Sequence, residues 1–479
     1  MGSDLRAWIN MIEDAGQLSR IEGAHWDLEI GCISGLSWEK GLQGPAILFD
    51  RIADYPAGYR VVTNTISNPD RIALTLGFPK GLSLREYVEI FRKKLPEWRT
   101  MTENFPPQTV RDGPVLENVD SGKDVDLFKF PAPRYNPLDG GRYIGTGNAI
   151  ITRDPDTGKV NIGTYRNMIH DSKTAGFFIA PGKHGRLDYE KYHARNEACP
   201  VLISLGHHPL FLMAGGVELP TGSEYSFIGA ITGEPLKIIR EEITGLPMPA
   251  DSEIVLAGWS RPGKVRHDEG PFGEWTGYYA SREQATPVVE IERVYHRNDP
   301  IILGAPPSRP PGANTFFRTF IRSALLHNQL EECGLREVKG VWQSELGGSR
   351  LLLIISINQK YAGHARQTAL FASQSPLAAF MGRYVIVVDE DIDPTNIYDV
   401  LWAVLTRSDP EKDIDVVRRA WSSSLDPVIP KTATAHFSSR AIIDACKPYE
   451  WRQEFADAIT FDPELVVKMK KIWGKQLGL

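Results

Sequence analysis

A proline-rich segment, GAPPSRPPGAN (304–314), divides the chain and limits most strongly how it can fold. Proline fixes φ and lacks a backbone N–H, so neither a regular helix nor a central strand can run through this segment. Asn314 stands where a helix cap is expected, and TFFRTFIRSALLHNQLEECG (315–334) then predicts a helix. Because 479 residues are too many for one hydrophobic core, we expect a domain boundary here.

Before this boundary, the sequence pattern changes once, from short α/β elements to a series of strand-like runs. Residues 3–15 have apolar side chains at helical spacing behind a Ser/Asp cap, and short α/β elements follow to about residue 115. Next, two extended runs flank the turn DPDTG and predict a β-hairpin, YIGTGNAIITR (143–153) and KVNIGTYRNMI (159–169). Further strand-like runs at 200–206, 253–259 and 287–296 indicate a barrel or folded sheet.

The part after the boundary reads strand, strand, helix, strand, helix, in the segments VKGVWQS, RLLLIISI, YAGHARQTALFAS, YVIVVDED and NIYDVLWAVLTR. This order is typical of a second α/β domain. The predicted fold class is therefore α/β (α+β), with four parts in chain order: an N-terminal α/β region (1–115), a β-barrel-like domain (116–313), a connecting helix (314–335) and a C-terminal α/β domain (336–479).

Charge and cysteine content exclude several classes of function. The formal net charge is −6 and no long Lys/Arg run occurs, which argues against a nucleic-acid groove or an anionic membrane surface and favours a small-molecule partner. The four cysteines form no Cys-x-x-Cys pair, so neither a zinc knuckle nor a dithiol redox site is indicated. Since no targeting pattern opens the chain and its apolar runs are strand-sized, we expect a cytoplasmic protein.

The stretch HDEGPFGEWTGYY (267–279) places Glu269 and Glu274 on either side of a Gly-Pro-Phe-Gly turn. Two glutamates in a loop are most often solvated charges. Here four aromatic residues crowd the same stretch, and a buried carboxyl must find a partner or hold a proton. A carboxyl that holds its proton near neutral pH is what a general acid requires, and the turn would fix its direction.

Asn161, His184 and Glu224 form a second candidate set. A lone His or Asn is more often a hydrogen-bonded structural residue. Together their oxygen and nitrogen atoms make a mostly hard ligand set, suited to Mg²⁺ or Mn²⁺ with positions left open for a phosphate. Strict alternation along a strand would place Arg166 on the face opposite Asn161, and we expect Gly163 to supply a bulge between them.

Six motifs in the same order strongly resemble the UbiD-type decarboxylases, a family that includes ferulic acid decarboxylase. They span about residues 115 to 445: GRYIGTGNAIITRDPDTGKVNIGTYRNMIH, PGKHGR, SEYSFIGAITGEP, PADSEIVLAG, DEGPFGEWTGYY and VVDEDIDPTNIYDVLWA. The resemblance implies a reversible decarboxylase that uses prenylated FMN in a split-barrel domain. It also implies a C-terminal domain that forms a homodimer or a higher even-numbered oligomer, and a flavin prenyltransferase that supplies the cofactor.

The resemblance also assigns roles to residues. Arg166, Glu269 and Glu274 match the family's catalytic triad, in which the first Glu pairs with the Arg and the second donates the proton. Asn161, His184 and Glu224 match its ligands for Mn²⁺ (or Mg²⁺), which anchors the flavin phosphate. A neighbouring K⁺ held by backbone carbonyls would lie near 214–217. Thr164, Tyr165, Arg166 and Lys183 match positions that contact the flavin. Such a cofactor supplies the electron sink that loss of CO₂ from an unsaturated carbon requires.

Two alternatives stay open on the sequence. A pair of glutamates among aromatic residues also describes a glycosidase, although the Arg and the Asn/His/Glu set would then have no purpose. The chain could instead be a non-catalytic subunit of a multi-subunit decarboxylase or carboxylase. The sequence leaves open which aromatic, heteroaromatic or α,β-unsaturated acid is the substrate and in which direction the reaction runs. The loop VIPKTATAHFSS (428–439), which contains His436, and the GAPPSRPP segment are candidates for the substrate-facing wall.

Overall fold

The structure is a computed structural model that describes residues 4–217, 219–280, 283–312 and 315–478. The first region contains α1 (Leu5–Asp14), β1 (Leu18–Glu22), α2 (Glu29–Leu36), β2 (Ala46–Asp50), β3 (Arg60–Thr63), α3 (Pro69–Leu76) and α4 (Leu84–Met101). The middle region contains β4 (Gln108–Thr109), β5 (Asn118–Ser121), β6 (Tyr143–Gly145), β7 (Ala149–Arg153), β8 (Val160–Gly163), β9 (Asn167–Asp171), β10 (Thr174–Gly176), α5 (His184–Ala194), β11 (Cys199–Leu205), α6 (Leu210–Ala214), α7 (Glu224–Thr232), β12 (Lys237–Arg240), β13 (Pro247–Pro249), β14 (Ile254–Ser260), β15 (Val265–Glu269), β16 (Gln284–His296) and β17 (Ile301–Leu303). The last region contains α8 (Phe316–Glu332), β18 (Val338–Gln343), β19 (Leu352–Ile357), α9 (His364–Gln374), α10 (Pro376–Ala379), β20 (Tyr384–Asp389), α11 (Ile397–Arg407), α12 (Pro410–Asp413), β21 (Ile414–Trp421), β22 (Phe437–Ala445) and α13 (Pro463–Leu477).

The first region opens with the predicted amphipathic helix. Asp4 caps α1 by accepting a hydrogen bond from the Ala7 backbone N–H, and the apolar face of the helix is buried. Strands β1, β2 and β3 form a sheet whose fourth strand is β17, so the chain returns to this sheet before the proline-rich segment. The limits of the four predicted parts of the chain remain predictions.

A curled antiparallel sheet fills the middle region, which confirms the predicted split-barrel architecture. Its main path is β6-β9-β10-β16-β14-β11-β7-β8, and β5 and β15 pair with β16. The thirteen-residue β16 thus pairs with four other strands along its length. The predicted hairpin forms between β7 and β8, with Ile150 opposite Gly163 and Arg153 opposite Val160.

The two runs of this hairpin are shorter than predicted. Residues 143–153 divide into β6 and β7, and residues 159–169 divide into β8 and β9. Buried asparagines occupy the corner, where Asn148 Nδ2 donates to Asn167 Oδ1 at 2.8 Å and Asn167 Nδ2 donates to the Gly176 carbonyl at 2.6 Å. These side chains satisfy polar groups that strand pairing leaves unpaired, so the chain can change direction inside the core.

The last region is a five-stranded sheet in the order β18-β19-β20-β22-β21, with parallel pairing from β19 through β22. Helices α9 and α11 contact this sheet, as the predicted α/β pattern requires. The predicted cap residue Asn314 lies outside the described residues. Helix α8 begins at Phe316 after Thr315, whose hydroxyl accepts a hydrogen bond from the Gly312 N–H at 2.7 Å.

The core runs continuously between the regions. Its largest cluster of buried apolar side chains includes Trp8, Phe91, Phe227, Phe320 and Trp342. Helix α8 packs on both α4 and β18, with the rings of Phe91 and Phe320 5.0 Å apart. Within the parts of the chain that the structure describes, every helix is too short or too polar to cross a bilayer.

Candidate active site

The three side chains predicted to be catalytic lie together in one ion-paired cluster. The Arg166 Nε and Nη2 atoms each donate to one carboxylate oxygen of Glu269 at 3.0 Å. Its Nη1 atom donates to Glu274 Oε1 at 3.0 Å. Only 1% of the Glu269 side chain is exposed, against 10% for Arg166 and for Glu274. A bidentate pair fixes the plane of the guanidinium, so Glu269 sets the orientation in which Arg166 meets Glu274.

Aromatic rings enclose this cluster. Arg166 Cζ lies 4.3 Å from the ring centroid of Phe178 and 5.0 Å from that of Phe272. The Tyr143 hydroxyl donates to Glu269 Oε1 at 3.4 Å, and its ring lies 4.1 Å from that of Phe272. Burial by itself lowers the pKa of Arg166, but the two carboxylates raise it overall above its ordinary value. The guanidinium is therefore held as a permanent cation in an apolar enclosure.

Arg166 reaches the cluster from a corner between two strands. Strand β8 ends at Gly163, residues 164–166 belong to no strand, and β9 begins at Asn167 beside different neighbours. The expected bulge at Gly163 is therefore wrong, because the chain leaves one part of the sheet and enters another. A Cβ on Gly163 would lie 2.4 Å from the Tyr165 ring, so the absence of a side chain allows Tyr165 to fold back over the strand end.

The segment that contains Asp139 and Gly140 holds the turn between the two glutamates in place. The Asp139 carboxylate accepts a hydrogen bond from the Gly273 N–H at 3.0 Å, and the Pro271 carbonyl accepts one from the Gly140 N–H at 2.8 Å. Gly270 has φ +86°, and a Cβ on Gly140 would lie 2.0 Å from the Gly270 carbonyl oxygen. The two backbones thus approach too closely for side chains, and this contact sets the direction of both carboxylates.

The predicted metal ligands come from three elements. Asn161 lies in β8, while His184 and Glu224 are the first residues of α5 and α7. Asp188 interacts electrostatically with both His184 and Glu224. It also accepts a hydrogen bond from Thr152 Oγ1 at 2.6 Å, and this oxygen accepts one from Asn161 Nδ2 at 3.3 Å. The three residues therefore surround one region of the structure.

The surroundings of Glu224 fit a bound cation. Its side chain is buried, burial raises its pKa to about 7, and its carboxyl accepts backbone N–H groups, including that of Ile162. No Lys or Arg of the described residues forms an ion pair with Glu224, so a divalent cation could supply the missing charge. Two helix N-termini also begin at this region, a geometry that favours a phosphate.

No cluster of three or more His, Cys, Asp and Glu suited to a metal is found among the described residues. The predicted set differs from such clusters because its third ligand is an asparagine, and His184 is exposed in this structure. The assignment of Asn161, His184 and Glu224 as metal ligands stays a prediction.

Tyr165 borders the same region. Its hydroxyl forms hydrogen bonds with the Gly185 backbone and the Asn161 side chain, and burial raises its pKa to about 12. A neutral phenol that connects the strand end to the start of α5 suits a wall of a cofactor pocket.

The other predicted flavin contacts lie around this wall. The Thr164 methyl group would be 3.0 Å from a Cβ on Gly215, within the segment 214–217 where K⁺ was predicted. Lys183 is exposed at the N-cap of α5. The predicted potassium site therefore lies near the predicted metal site. The roles of Thr164 and Lys183 stay predictions.

The C-terminal region contacts the loop that carries Glu274. Lys431 Nζ, in the predicted wall loop, donates to the Tyr279 carbonyl at 3.0 Å. The Cα of Arg309, in the proline-rich segment, would lie 2.9 Å from a Cβ on Gly277. The His436 carbonyl accepts a hydrogen bond from the Ser422 N–H at 3.2 Å. Both candidate wall segments therefore lie next to the loop that carries Glu274.

The sequence alone did not indicate Tyr143, Phe178, Asp139 or Asp188 as site residues. Asp188 follows His184 by four residues on a helix, and that spacing could have suggested it. The other three contact residues from other segments of the chain, so no local sequence pattern predicts that they belong to the site.

Comparisons with known proteins agree with this geometry. Sequence models of the N-terminal, Rift-related and C-terminal domains of 3-octaprenyl-4-hydroxybenzoate carboxy-lyase match residues 9–91, 108–310 and 315–445. Phenolic acid decarboxylases from Streptomyces sp. (strain D7) and Sedimentibacter hydroxybenzoicus are 32% and 33% identical to the chain over 462 residues. Each alignment covers 93% of this chain and 92% of the relative.

Similar structures also cover nearly the whole chain. The open form of the vanillic acid decarboxylase from Sedimentibacter hydroxybenzoicus is 30% identical, with a TM-score of 0.86 and coverage of 99% of both chains. Its closed form has a TM-score of 0.80, again at 30% identity, and covers 98% of this chain and 99% of that chain. The UbiD-class enzyme HmfF from Pelotomaculum thermopropionicum, in complex with FMN, is 27% identical, with a TM-score of 0.84 and coverage of 97% and 98%. With all three regions of the fold matched, the chain belongs to the UbiD family of carboxy-lyases.

Proposed function

We propose that this carboxy-lyase catalyses the reversible, non-oxidative decarboxylation of an aromatic, heteroaromatic or α,β-unsaturated carboxylic acid with prenylated FMN. The observation that carries the proposal is the single guanidinium of Arg166, which joins Glu269 and Glu274 inside an aromatic enclosure. The phenolic acid and vanillic acid decarboxylases among its relatives, and structures of HmfF with FMN and prFMN, support the substrate class and the cofactor. Because the chain belongs to a family of carboxy-lyases, the glycosidase alternative is no longer supported.

Arg166 would bind the carboxylate of the substrate. Its Nε and Nη2 atoms are occupied by Glu269, and its Nη1 atom donates to Glu274. The carboxylate of the substrate would compete with Glu274 for the hydrogen bond from Nη1. Binding of the substrate would therefore release Glu274 from its ion pair. A released Glu274 can take up a proton and deliver it to the carbon from which CO₂ departs.

The prenylated flavin, when bound, would supply the electron sink for the charge that the departing CO₂ leaves behind. Asn161, His184 and Glu224 would hold Mn²⁺ or Mg²⁺ against its phosphate, and carbonyls near 214–217 would hold K⁺. Thr164, Tyr165 and Lys183 border this region and would contact the flavin itself. The buried Glu224 carboxyl, which has no Lys or Arg ion pair among the described residues, and the two helix N-termini support this placement.

The experiment that tests the function compares protein made with and without a flavin prenyltransferase. Both preparations are given a panel of aromatic and heteroaromatic acids, and CO₂ release is measured. We expect turnover only from the protein that carries prenylated FMN. Equal turnover with ordinary FMN, or with no flavin, would contradict the proposal.

An accessory role is the second candidate, because the vanillic acid decarboxylase structures that resemble this chain contain a further chain, VdcD. The complete Arg166, Glu269 and Glu274 cluster favours a catalytic chain. Turnover by the purified chain alone, loaded with cofactor, would establish that no second chain is required.

We also propose that the chain forms a homodimer or a higher even-numbered oligomer through its C-terminal region. Helix α11 exposes Tyr398, Leu401, Trp402 and Leu405, and the exposed fractions of Tyr398 and Leu405 exceed 80%. Contiguous apolar surface of this kind is typical of interfaces, and closed symmetry is the usual arrangement of identical chains.

A further inference from the structure

Three buried polar side chains connect β7, β8 and α5 beside the proposed metal site. Thr152 in β7 stands opposite Asn161 in β8, and Asp188 lies on α5. The Thr152 hydroxyl donates to Asp188 Oδ2 at 2.6 Å and accepts a hydrogen bond from Asn161 Nδ2 at 3.3 Å. Thr152 is fully buried, and the exposed fractions of Asn161 and Asp188 are 3% and 4%. We call Asp188, Thr152 and Asn161 the polar triplet.

The chemistry of these groups fixes the direction of each hydrogen bond. An ionised carboxylate accepts hydrogen bonds but donates none, so the single proton of the Thr152 hydroxyl points to Asp188. The same oxygen can then only accept from its second neighbour, which must present an N–H group. The side-chain amide of Asn161 therefore turns its nitrogen toward Thr152. Its carbonyl oxygen, Oδ1, consequently faces away from Thr152.

The first turn of α5 agrees with this orientation. A Cβ on Gly185 would lie 3.3 Å from Asn161 Nδ2 and 3.0 Å from the Tyr165 ring, so the amide nitrogen lies close to this turn. Thr152 and the start of α5 thus both contact the nitrogen side of the amide. Together they hold the amide in one of its two possible orientations.

The orientation of this amide decides whether Asn161 can serve as a metal ligand. A divalent cation such as Mn²⁺ or Mg²⁺ binds the oxygen of a side-chain amide, whereas the amide NH₂ group offers it only hydrogen-bond donors. The two ends of an amide have nearly the same shape, so hydrogen bonds rather than packing must distinguish them. A hydroxyl whose proton is committed to a carboxylate makes that distinction, since it accepts only from N–H.

Asp188 is placed to hold this arrangement. It follows His184 by one turn of α5 and interacts electrostatically with His184 and with Glu224. Its Oδ2 atom is occupied by the Thr152 hydroxyl, which separates it from Asn161. Groups that orient a metal ligand from behind commonly lower metal affinity by about 10- to 100-fold when they are replaced.

We propose that Asp188 and Thr152 are positioning residues, which fix the Asn161 amide with its oxygen toward the cation and so set the affinity of the metal site. Both residues act through Asn161 and need no contact with the cofactor or the substrate. This inference rests on the proposed function, because it takes Asn161, His184 and Glu224 as the residues that hold the cation.

The test measures how strongly Mn²⁺ tightens the binding of FMN to the whole chain, and it requires no turnover. The affinity for FMN is measured by flavin fluorescence, once with Mn²⁺ and once with a chelator. The ratio of the two dissociation constants is the metal coupling. Electron paramagnetic resonance of free Mn²⁺ counts the ions that each protein binds.

Four substitutions separate the hydroxyl group from the shape of the side chain. Thr152→Val keeps the branched shape and removes the hydroxyl, whereas Thr152→Ser keeps the hydroxyl. Asp188→Asn supplies an N–H donor in place of a pure acceptor, which frees the Thr152 proton to point at Asn161. Thr368→Val is the matched control, because Thr368 is fully buried on α9 and its hydroxyl has no hydrogen-bond partner among the described residues.

We expect Mn²⁺ to tighten FMN binding to the unmodified protein by about 10-fold or more. Thr152→Val and Asp188→Asn should each reduce this metal coupling by about 10-fold, while FMN affinity in the chelator changes by less than about 2-fold. Thr152→Ser and Thr368→Val should keep the coupling within about 2-fold of the unmodified value. A merely structural role would weaken FMN binding equally under both conditions and leave the ratio unchanged.

Unchanged metal coupling in Thr152→Val and Asp188→Asn would overturn the inference. A loss in Thr152→Ser as large as that in Thr152→Val would overturn it as well, because the hydroxyl would then not be the group that matters. Asp188→Asn keeps the test decisive if Thr152→Val does not fold.

His184→Asn and Glu224→Gln, measured in the same way, separate this inference from the proposed function. If these two variants lose the metal coupling while Thr152→Val and Asp188→Asn keep it, the metal ligands are correct and the inference alone is wrong. If the unmodified protein shows no coupling, the proposed metal site is wrong and the inference is overturned with it. Coupling that depends on Thr152, in a protein that releases CO₂ from no acid, would contradict the proposed activity alone.

Discussion

Arg166 and Glu269 form a bidentate ion pair across 103 positions of the chain, with both N···O distances at 3.0 Å. The same guanidinium reaches Glu274 through its remaining terminal nitrogen at 3.0 Å. The Glu269 side chain is 1% exposed and accepts two hydrogen bonds from Arg166, while the Glu274 side chain is 10% exposed and accepts one. The two glutamates therefore have different environments although only five positions separate them, and their substitution should have different consequences.

Glu274→Gln should lower turnover by about 10²-fold or more, because glutamine keeps the shape and hydrogen-bonding reach but cannot donate the proton. Cofactor and substrate should still bind. The direct measurement is exchange of solvent hydrogen into the product carbon, which the unmodified enzyme should catalyse and the variant should not. Exchange at the unmodified rate in the variant would mean that the proton comes from another group.

Glu269→Gln should impair binding of the substrate as well as turnover. The substitution removes one of the charges that orient Arg166, so the guanidinium is free to turn away from the incoming carboxylate. We expect KM to rise together with a fall in kcat, whereas Glu274→Gln should act mainly on kcat. Steady-state kinetics of both variants with one substrate provide the check, and an unchanged KM for Glu269→Gln would contradict this role.

Glu224→Gln and His184→Asn should lower flavin occupancy by about tenfold or more without unfolding the chain, since these side chains are proposed to act on the phosphate anchor. Flavin absorbance and a thermal melt measure the two effects separately. Glu190→Gln is the matched control, because Glu190 lies on α5, is exposed and pairs only with Arg186 among the described residues. Full flavin occupancy in both ligand variants would show that the anchor lies elsewhere.

Gly140→Ala should destabilise the turn between the glutamates by about 1–3 kcal/mol. The added methyl group would lie 2.0 Å from the Gly270 carbonyl oxygen, so one of the two segments must move and both carboxylates would be redirected. We expect a loss of activity larger than the loss of stability explains, measured by denaturant unfolding beside turnover. Gly35→Ala is the control, since Gly35 lies in α2 with no atom near its Cβ position. A fully active Gly140→Ala variant would argue against the role of this contact.

Leu405→Glu should weaken association of the chains, because it places a charge in the exposed apolar surface of α11. Light scattering at micromolar concentration should report a dimer or larger even-numbered assembly for the unmodified protein and a smaller species for the variant. Leu36→Glu makes the same substitution at an exposed leucine of α2, outside the C-terminal region, and should leave the assembly unchanged. A monomeric unmodified protein would refute the proposed oligomer.

Patterns confined to short stretches predicted much of the fold. The apolar spacing of residues 3–15 and the strand runs of the last region correspond to elements of the structure, and the proline-rich segment lies between β17 and α8. The hairpin was also predicted, but its corner was not, because the buried contact between Asn148 and Asn167 joins positions 19 residues apart. Strands β21 and β22 were missed for a related reason, since their pairing with β20 and with each other, rather than a marked apolar run, makes them strands.

The sequence by itself determined which groups are available: an arginine, two glutamates around a rigid turn, an Asn/His/Glu set and six ordered motifs that identify the family. The tertiary structure decided that Arg166 bridges both glutamates, that Asp139 holds their turn and that Asp188 lies between the metal-ligand candidates. The reason is physical: side-chain identity and local periodicity are properties of short stretches, whereas distance, burial and uncompensated charge arise only when distant segments pack together.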